Sequence, residues 1–419
     1  MATPIEQIAP RQISSYKVVI ESPNGTRLDI TPHVIEMSIF ESIYAINMHG
    51  QLVIGDNSAI FSDLPIVGQE NINIQFTRMG EDVDLDFVVS GVEDISSPLE
   101  SVGAYVILFT AKTKLLNTVS ESSKSYKGLG VDIIREIYDD KFGIFAKLDV
   151  KASGGSSMRV VMPFIKPFAA INMIQQTAYD TNKSPLFIFD TVYDENPQLT
   201  SLHNMMTQEP VHHISNRVNF NNAEDGMSTR DILEYTGQAQ HIEIPSAYSV
   251  FEQIAAGSYA TSIDTVDISN KSIRNYTFDH TKHAVVDNDY MHANFKINDR
   301  LLSEHTGAHN AVNYINTKAF DSLGNIYGSD SYARPSVDSR LNRLDTINMN
   351  IQMDSVPGVA AGKTITVDYK RFVPMVTDQD TPKDEINSGK YLISSLRHYI
   401  KLGEYTMSLN LVRSHVGDS

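Results

Sequence analysis

The sequence predicts a β-rich α+β fold, with a barrel-like set of short strands towards each end and a mixed helix-and-strand region between them. Three observations carry this reading. Across residues 36–76, apolar and polar side chains alternate at period two, in short runs broken by Gly, Pro and Asp-Asn. From Lys112 the apolar spacing becomes helical, over residues 128–142 and 167–180. Alternation returns late, over residues 347–353 and 405–411.

Taken in order, residues 1–15 read as a loose arm punctuated by Pro4 and Pro10, without the apolar run of a signal peptide. Residues 16–20 form a strand, Ser22-Pro23-Asn24-Gly25 a turn, and Leu28 and Ile30 belong to the returning strand. In the next strand Ile35, Met37 and Ile39 point one way, and Glu36 and Ser38 the other. A short run over residues 51–54 ends at Gly55-Asp56-Asn57. Pro65 and Gly68 stop any strand across residues 60–68, and then Ile72, Ile74 and Phe76 alternate with Asn71, Asn73 and Gln75. Leu85, Phe87 and Val89 pair with Tyr105, Ile107 and Phe109 in a hairpin expected around Ser96-Ser97-Pro98. Asp82, Asp84 and Asp86 fall on the opposite phase and are expected outside the core.

In the middle region, Val131, Ile134, Ile137 and Tyr138 share one face of a helix over residues 128–142. Pro167 suits the first turn of a second helix, over residues 167–180, with Phe168, Ile171, Ile174, Gln175 and Ala178 on one face. Residues 185–189 read as a short buried strand, and residues 248–255 as a third amphipathic helix with Val250, Phe251 and Ile254 apolar. Later, Ile347, Met349, Ile351 and Met353 alternate, and Val356-Pro357-Gly358 turns into Ile365, Val367 and Tyr369. A polar loop over residues 377–390 leads to a last hairpin, residues 391–396 with Tyr405, Met407, Leu409 and Leu411, joined around Gly403.

The 419 residues suffice for two or three domains, and an apolar fraction of 41% supports a full core. The absence of Cys removes disulfides, thiolate metal sites and Cys nucleophiles. No apolar run approaches the roughly 20 residues that cross a bilayer, so synthesis in a cytoplasm is expected, without stable membrane insertion. A net charge of −17 argues against gripping nucleic acid through its phosphates. It suits a conduit that repels passing DNA, and it equally suits plain solubility.

The order of residues Glu41, Ser42, Ile43, Tyr44, Asn47, Gly50, Leu52, Ile54, Asp56, then Leu64, Pro65, Ile66, Gly68, Glu70, Ile72 and Ile74 resembles the first barrel of the baseplate hub protein of contractile-tailed phages. Met205-Met206-Thr207-Gln208-Glu209-Pro210 is similar to that family's crossing into its second barrel. Val356-Pro357-Gly358, Gly362, Gly389-Lys390-Tyr391-Leu392-Ile393 and His398 resemble the C-terminal strands of hub proteins and of type VI secretion spike bases. The resemblance implies two tail-tube-like β-barrels, over residues 16–118 and over 209–245 with 299–415. It implies a middle α+β domain over 119–208 and 246–298, after an arm over 1–15. Residues 279–338 depart from the pattern. The resemblance further implies a homotrimer that joins the tail tube protein to a central spike protein around a channel, with tape measure and baseplate wedge proteins as neighbours and DNA only as passing cargo. The place implied is the virion baseplate, assembled in the bacterial host cytoplasm. An internal duplication would make the turns over residues 65–70 and 357–362 equivalent.

No constellation of catalytic or metal-binding residues stands out. Asp279, His280, His283, Asp287 and Asp289 have the residue types of a metal site but lie in strand-end and loop sequence. His212-His213 and the pair His305 and His309 read as solvated. Glu93-Asp94, Asp139-Asp140, and Asp84 with Asp86 are adjacent in sequence, which does not place two carboxyls on one substrate. Gly128-Leu129-Gly130 and Gly154-Gly155 lack the rest of a phosphate-binding fingerprint. Ser156 and Ser157 lack a nucleophile elbow. Lys370-Arg371-Phe372 is too short for a nucleic-acid platform. No catalytic residue, cofactor or metal ligand is assigned, and a structural, non-enzymatic protein is expected. The alternatives are a β-rich tail-associated adhesin and a glycan-cleaving tail component, which would need a carboxylate pair in a cleft.

Overall fold

A computed structural model describes residues 13, 15–56, 66, 68–99, 102–155, 157–215, 238–247, 249–279, 296–297, 300–301, 309–315, 333–370, 383–401 and 403–414. The N-terminal strands are β1 (Ser15–Glu21), β2 (Arg27–Asp29), β3 (Val34–Ser42), β4 (His49–Asp56), β5 (Asn71–Arg78), β6 (Glu81–Leu99) and β7 (Val102–Ala111). The expected alternation holds: Ile72, Ile74 and Phe76 of β5 and Leu85, Phe87 and Val89 of β6 are buried, while Asp82, Asp84 and Asp86 are exposed. The β6–β7 hairpin pairs Leu99 with Val102, so it closes beyond Pro98 rather than at Ser96-Ser97-Pro98. Register shifts within β6 carry the strand through that segment.

Ile35 departs from the expected phase. It is 41% exposed, whereas Val34, Met37 and Ile39 are buried. A register shift between Val34 and Glu36 inserts one residue opposite β4, which turns Ile35 to the other face. Gly50 of β4 has its own packing reason. A Cβ there would lie 2.3 Å from the Ser38 carbonyl oxygen and 2.4 Å from the Phe109 ring.

The middle region begins at α1 (Lys112–Val119) and continues through β8 (Ser125–Leu129), α2 (Gly130–Phe142), β9 (Asp149–Val150), β10 (Ser157–Val161), α3 (Pro167–Gln175), β11 (Leu186–Phe189), β12 (Gln198–Ser201) and α4 (Leu202–Thr207). Val131, Ile134, Ile137 and Tyr138 of α2 pack with Phe168, Ile171 and Ile174 of α3 in a second core. The helix α3 ends at Gln175, short of the expected Asp180. Asp180 instead organises a turn, its Oδ1 accepting the N–H groups of Asn182 and Ser184 at 2.8 Å each. All four residues of β11 are buried, as the sequence indicates.

The remaining elements are β13 (His212–Ser215), β14 (Ala239–Ala247), α5 (Val250–Ala255), β15 (Ala260–Asp267), β16 (Ser272–Asp279), β17 (Lys296–Ile297), β18 (Arg300–Leu301), β19 (His309–Ile315), α6 (Arg334–Leu344), β20 (Ile347–Asp354), β21 (Thr364–Asp368), β22 (Gly389–Lys401) and β23 (Glu404–Arg413). Phe251 of α5 is 89% exposed, contrary to expectation. Among the described side chains of that helix the buried one is Gln253, which donates to Thr346 Oγ1 (2.8 Å) and accepts from Tyr259 Oη (2.7 Å).

The two barrels expected from the sequence are not present as separate closed bodies among the described residues. Thirteen strands there join in one sheet, ordered β14-β20-β23-β22-β3-β4-β7-β6-β5-β1-β2, with β13 and β21 branching from β22. The reason lies in β22. One edge pairs with β23; the other pairs with β21 over Gly389–Leu392 and then with β3 over Ser395–Lys401. A thirteen-residue strand has room for both neighbours, so N-terminal and C-terminal strands share one ladder and one apolar core. Of the arm, Ile13 and Ser15 are described, and the Ile13 N–H donates to the Gly403 carbonyl. The turn residues 57–65 and the loop residues 371–382 lie outside the described residues.

Candidate functional site

The place where the three parts of the chain meet is built around one carboxylate. Along β3 the inward positions are Met37, Ile39 and Glu41, so the alternation that buries two apolar side chains buries an acid as well. Its counterpart is His398, inward on β22 between Leu396 and Ile400. Both side chains are 0% exposed, and His398 Nε2 lies 2.9 Å from Glu41 Oε1. The same oxygen accepts the Val192 N–H at 2.6 Å, and Oε2 accepts the Ala361 N–H at 2.9 Å. His398 Nδ1 lies 2.6 Å from the hydroxyl of Tyr405 on β23. With Nε2–H donating to Glu41, Nδ1 accepts the Tyr405 proton, and every member of the chain is satisfied.

Glu41 thus ties β3 to β22, to the loop after β11 and to the loop before β21. Asp190 stands beside it. Enclosure, the Glu41 charge and the Asp194 charge push the Asp190 carboxyl up to about 7, although the Thr191 N–H bond opposes the shift. Burial raises Tyr405 and Tyr193 well above the ordinary phenol range. Arg78, buried at the end of β5, donates from Nε to Ser355 Oγ at 2.8 Å, and burial lowers its pKa against the opposing charge of Asp354. A Glu–His–Tyr relay has the residue types of acid–base chemistry. Here it is sealed from solvent, so no substrate atom reaches it, and its chemistry is that of a lock.

Two further surfaces are ordered by strand register. On β5 and β6, Asn73 donates to Asp84 (2.7 Å) and Asp86 (3.0 Å), Gln75 to Asp84 (3.0 Å) and Thr77 to Asp82 (2.7 Å). This is a solvated acidic ladder. On the outward face of the long sheet, His241, Gln352, Ser408, Arg397, Phe40 and His49 stand in one cross-strand row over β14, β20, β23, β22, β3 and β4.

The residues singled out in the sequence are dispersed. His213 pairs with Asp368 (3.1 Å), which also holds Lys383 (2.9 Å), at an exposed edge. Asp139 accepts the Leu148 N–H and Asp140 pairs with Lys141, while Glu93 and Asp94 are exposed on β6. Gly155, at φ +97°, packs against the Tyr179 carbonyl, which identifies Gly154-Gly155 as a tight loop. Gly128 and Gly130 flank the junction of β8 and α2, and Ser157 opens β10. Asp279 ends β16; His280, His283, Asp287, Asp289, His305, Ser156, Arg371 and Phe372 lie outside the described residues. Among the described residues no group of three or more His, Asp or Glu could hold a metal ion, and no helix is long and apolar enough to cross a membrane.

No family model matches the sequence, and no curated protein matches it. Solved structures do. A tail protein from Neisseria meningitidis MC58 superposes with a TM-score of 0.56 at 11% identity, covering 96% of this chain and 99% of that one. The 43 kDa tail protein of prophage MuSo2 from Shewanella oneidensis gives 0.55 at 11% identity, over 96% and 99%. A chain of the lidded Francisella PdpA–VgrG complex gives 0.50 at 14% identity; 98% of this chain corresponds to 54% of that one. The chain therefore has, over nearly its whole length, the fold of phage and prophage tail proteins.

Proposed function

We propose that the chain is the structural hub of a contractile tail baseplate or of a related injection machine. Three copies form a ring around the central channel and join the tail tube to the central spike. The observation that carries this reading is the end-to-end correspondence with two tail proteins, 96% of this chain against 99% of each of theirs. It is supported by the likeness to a chain of the Francisella PdpA–VgrG complex. The Glu41 lock also supports it. A sealed network that fixes three parts of one chain suits a rigid joint, and it suits neither a glycan-cleaving site nor a mobile adhesin.

In this reading residues 16–118 are the first tube-like unit, and 209–245 with 299–415 the second. Residues 119–208 and 246–298 form the middle α+β domain, after an arm over 1–15. The β22–β3 ladder makes the two units one wall, so three chains present six tube-like units to the tube and threefold symmetry to the spike. The chain acts without catalysis, cofactor or metal. Tape measure and baseplate wedge proteins are its further neighbours, DNA is only passing cargo, and its place is the virion baseplate after assembly in the bacterial host cytoplasm. Electron microscopy of tails labelled on this chain tests the reading. Label at the tube–spike joint is expected; label along the sheath or on fibres overturns it.

A further inference from the structure

The outward row across the long sheet has the features of a binding track. Five strand spacings separate His241 from His49, ~24 Å at the usual spacing. Its centre is Arg397. The guanidinium lies over the Phe40 ring (5.8 Å) and the Tyr399 ring (4.6 Å), and Phe40 stacks on His49 with centroids 5.3 Å apart. Nε and Nη2 donate to Ser38 Oγ at 3.2 and 2.9 Å. Two rings and a hydroxyl thus hold the group in one orientation, and Arg397 lines a groove of about 480 Å³. The groove is lined by the amides Asn350, Gln352 and Asn410 and the hydroxyls Ser395 and Ser408. The nearest carboxylates are engaged elsewhere: Glu41 faces the core, and Glu36 is held by Tyr399 Oη (2.7 Å) and Lys401 (3.7 Å). Arg397 has no carboxylate partner among the described residues.

We propose that this row docks an extended polypeptide segment of a partner, with one carboxylate of that segment paired to Arg397. A preorganised guanidinium matches a carboxylate with two parallel hydrogen bonds. On the β20 and β23 side the Gln352 amide and the Ser408 hydroxyl suit the N–H and C=O groups of a peptide main chain, while Asn410 is tied to Asn350 (3.0 Å) and Ser394 (2.7 Å). Nucleic acid fits less well, because a single fixed cation on a chain of net charge −17 cannot neutralise a run of phosphates. The inference stands on the row itself and holds whether or not the chain forms a ring.

A display library of random twelve-residue peptides, panned on the full chain, tests it. Peptides recovered on the wild-type protein should carry Asp or Glu. Arg397→Ala should weaken them at least tenfold, Arg397→Lys by less, and Gln352→Ala measurably at the far side of Ser408. The same peptides with Asp and Glu replaced by Asn and Gln should lose the sensitivity to Arg397. Recovery of no peptides, or of peptides without a carboxylate, overturns the proposal. So does equal binding to Arg397→Ala, or tighter binding of a thymidylate 20-mer at physiological salt. If Arg397→Ala does not fold by its thermal melt, unchanged affinity in both Arg397→Lys and Gln352→Ala overturns it instead.

Discussion

Glu41→Ala should be among the most damaging single changes in the chain. The substitution leaves three buried donors without an acceptor: the Val192 N–H, the Ala361 N–H and His398 Nε2. Each unsatisfied buried donor costs about 1–3 kcal/mol, so the sum for three is roughly 3–9 kcal/mol. That is a large share of the ~5–15 kcal/mol that keeps a domain folded. Glu41→Gln keeps the shape and one oxygen, but turns an amide N–H₂ toward one donor, for about 1–3 kcal/mol. Urea unfolding of the three proteins at one pH gives the ordering directly. Hydrogen exchange should show the loss first along Ser395–Lys401, where β22 pairs with β3. An alanine variant within about 1 kcal/mol of wild type, or a glutamine variant as damaged as the alanine one, would refute the lock.

Asp190→Asn should stabilise the protein at pH 8. The folded chain holds the Asp190 proton more tightly than the unfolded one, so stability is full below the ordinary value of 3.8 and falls as pH rises to about 7. Melts across pH 4–8 should show this fall, on the order of 1–4 kcal/mol, in wild type and not in the variant. Ile74→Asp and Val367→Asp place a charge where the side chain is 0% exposed and should cost several kcal/mol; Asn73→Ala and Thr366→Ala, on the opposite faces, should cost about 1 kcal/mol or less in the same melts. Gly50→Ala should lower Tm sharply, because its Cβ would overlap the Ser38 carbonyl and the Phe109 ring, whereas Phe251→Ser, at an 89% exposed position, should leave Tm unchanged.

Local pattern made the strands legible. Period-two alternation in β5, β20 and β23 leaves one choice of buried face, and burial follows it. It failed at Ile35, where one inserted residue flips the phase, and at Phe251, where the helix buries a glutamine through two side-chain hydrogen bonds. It could not show that β22 pairs with β3, since that contact joins residues more than 350 positions apart and both strands alternate equally well as members of separate barrels. The lock was hidden for the same reason. Its signal was present locally: Glu41 and His398 each occupy the apolar phase of their strand, and a charge there needs a buried partner. Arg397 does not stand out in the sequence, because Phe40 against it and His49 stacked on Phe40 come from other strands, and only the register brings them into one row.

The central claim is that the chain works as a ring of three. Mass photometry of the complex it forms with its spike tests this most directly. Three copies of the 46.6 kDa chain per spike assembly are expected, about 140 kDa from this protein. One copy or six copies per assembly would contradict it.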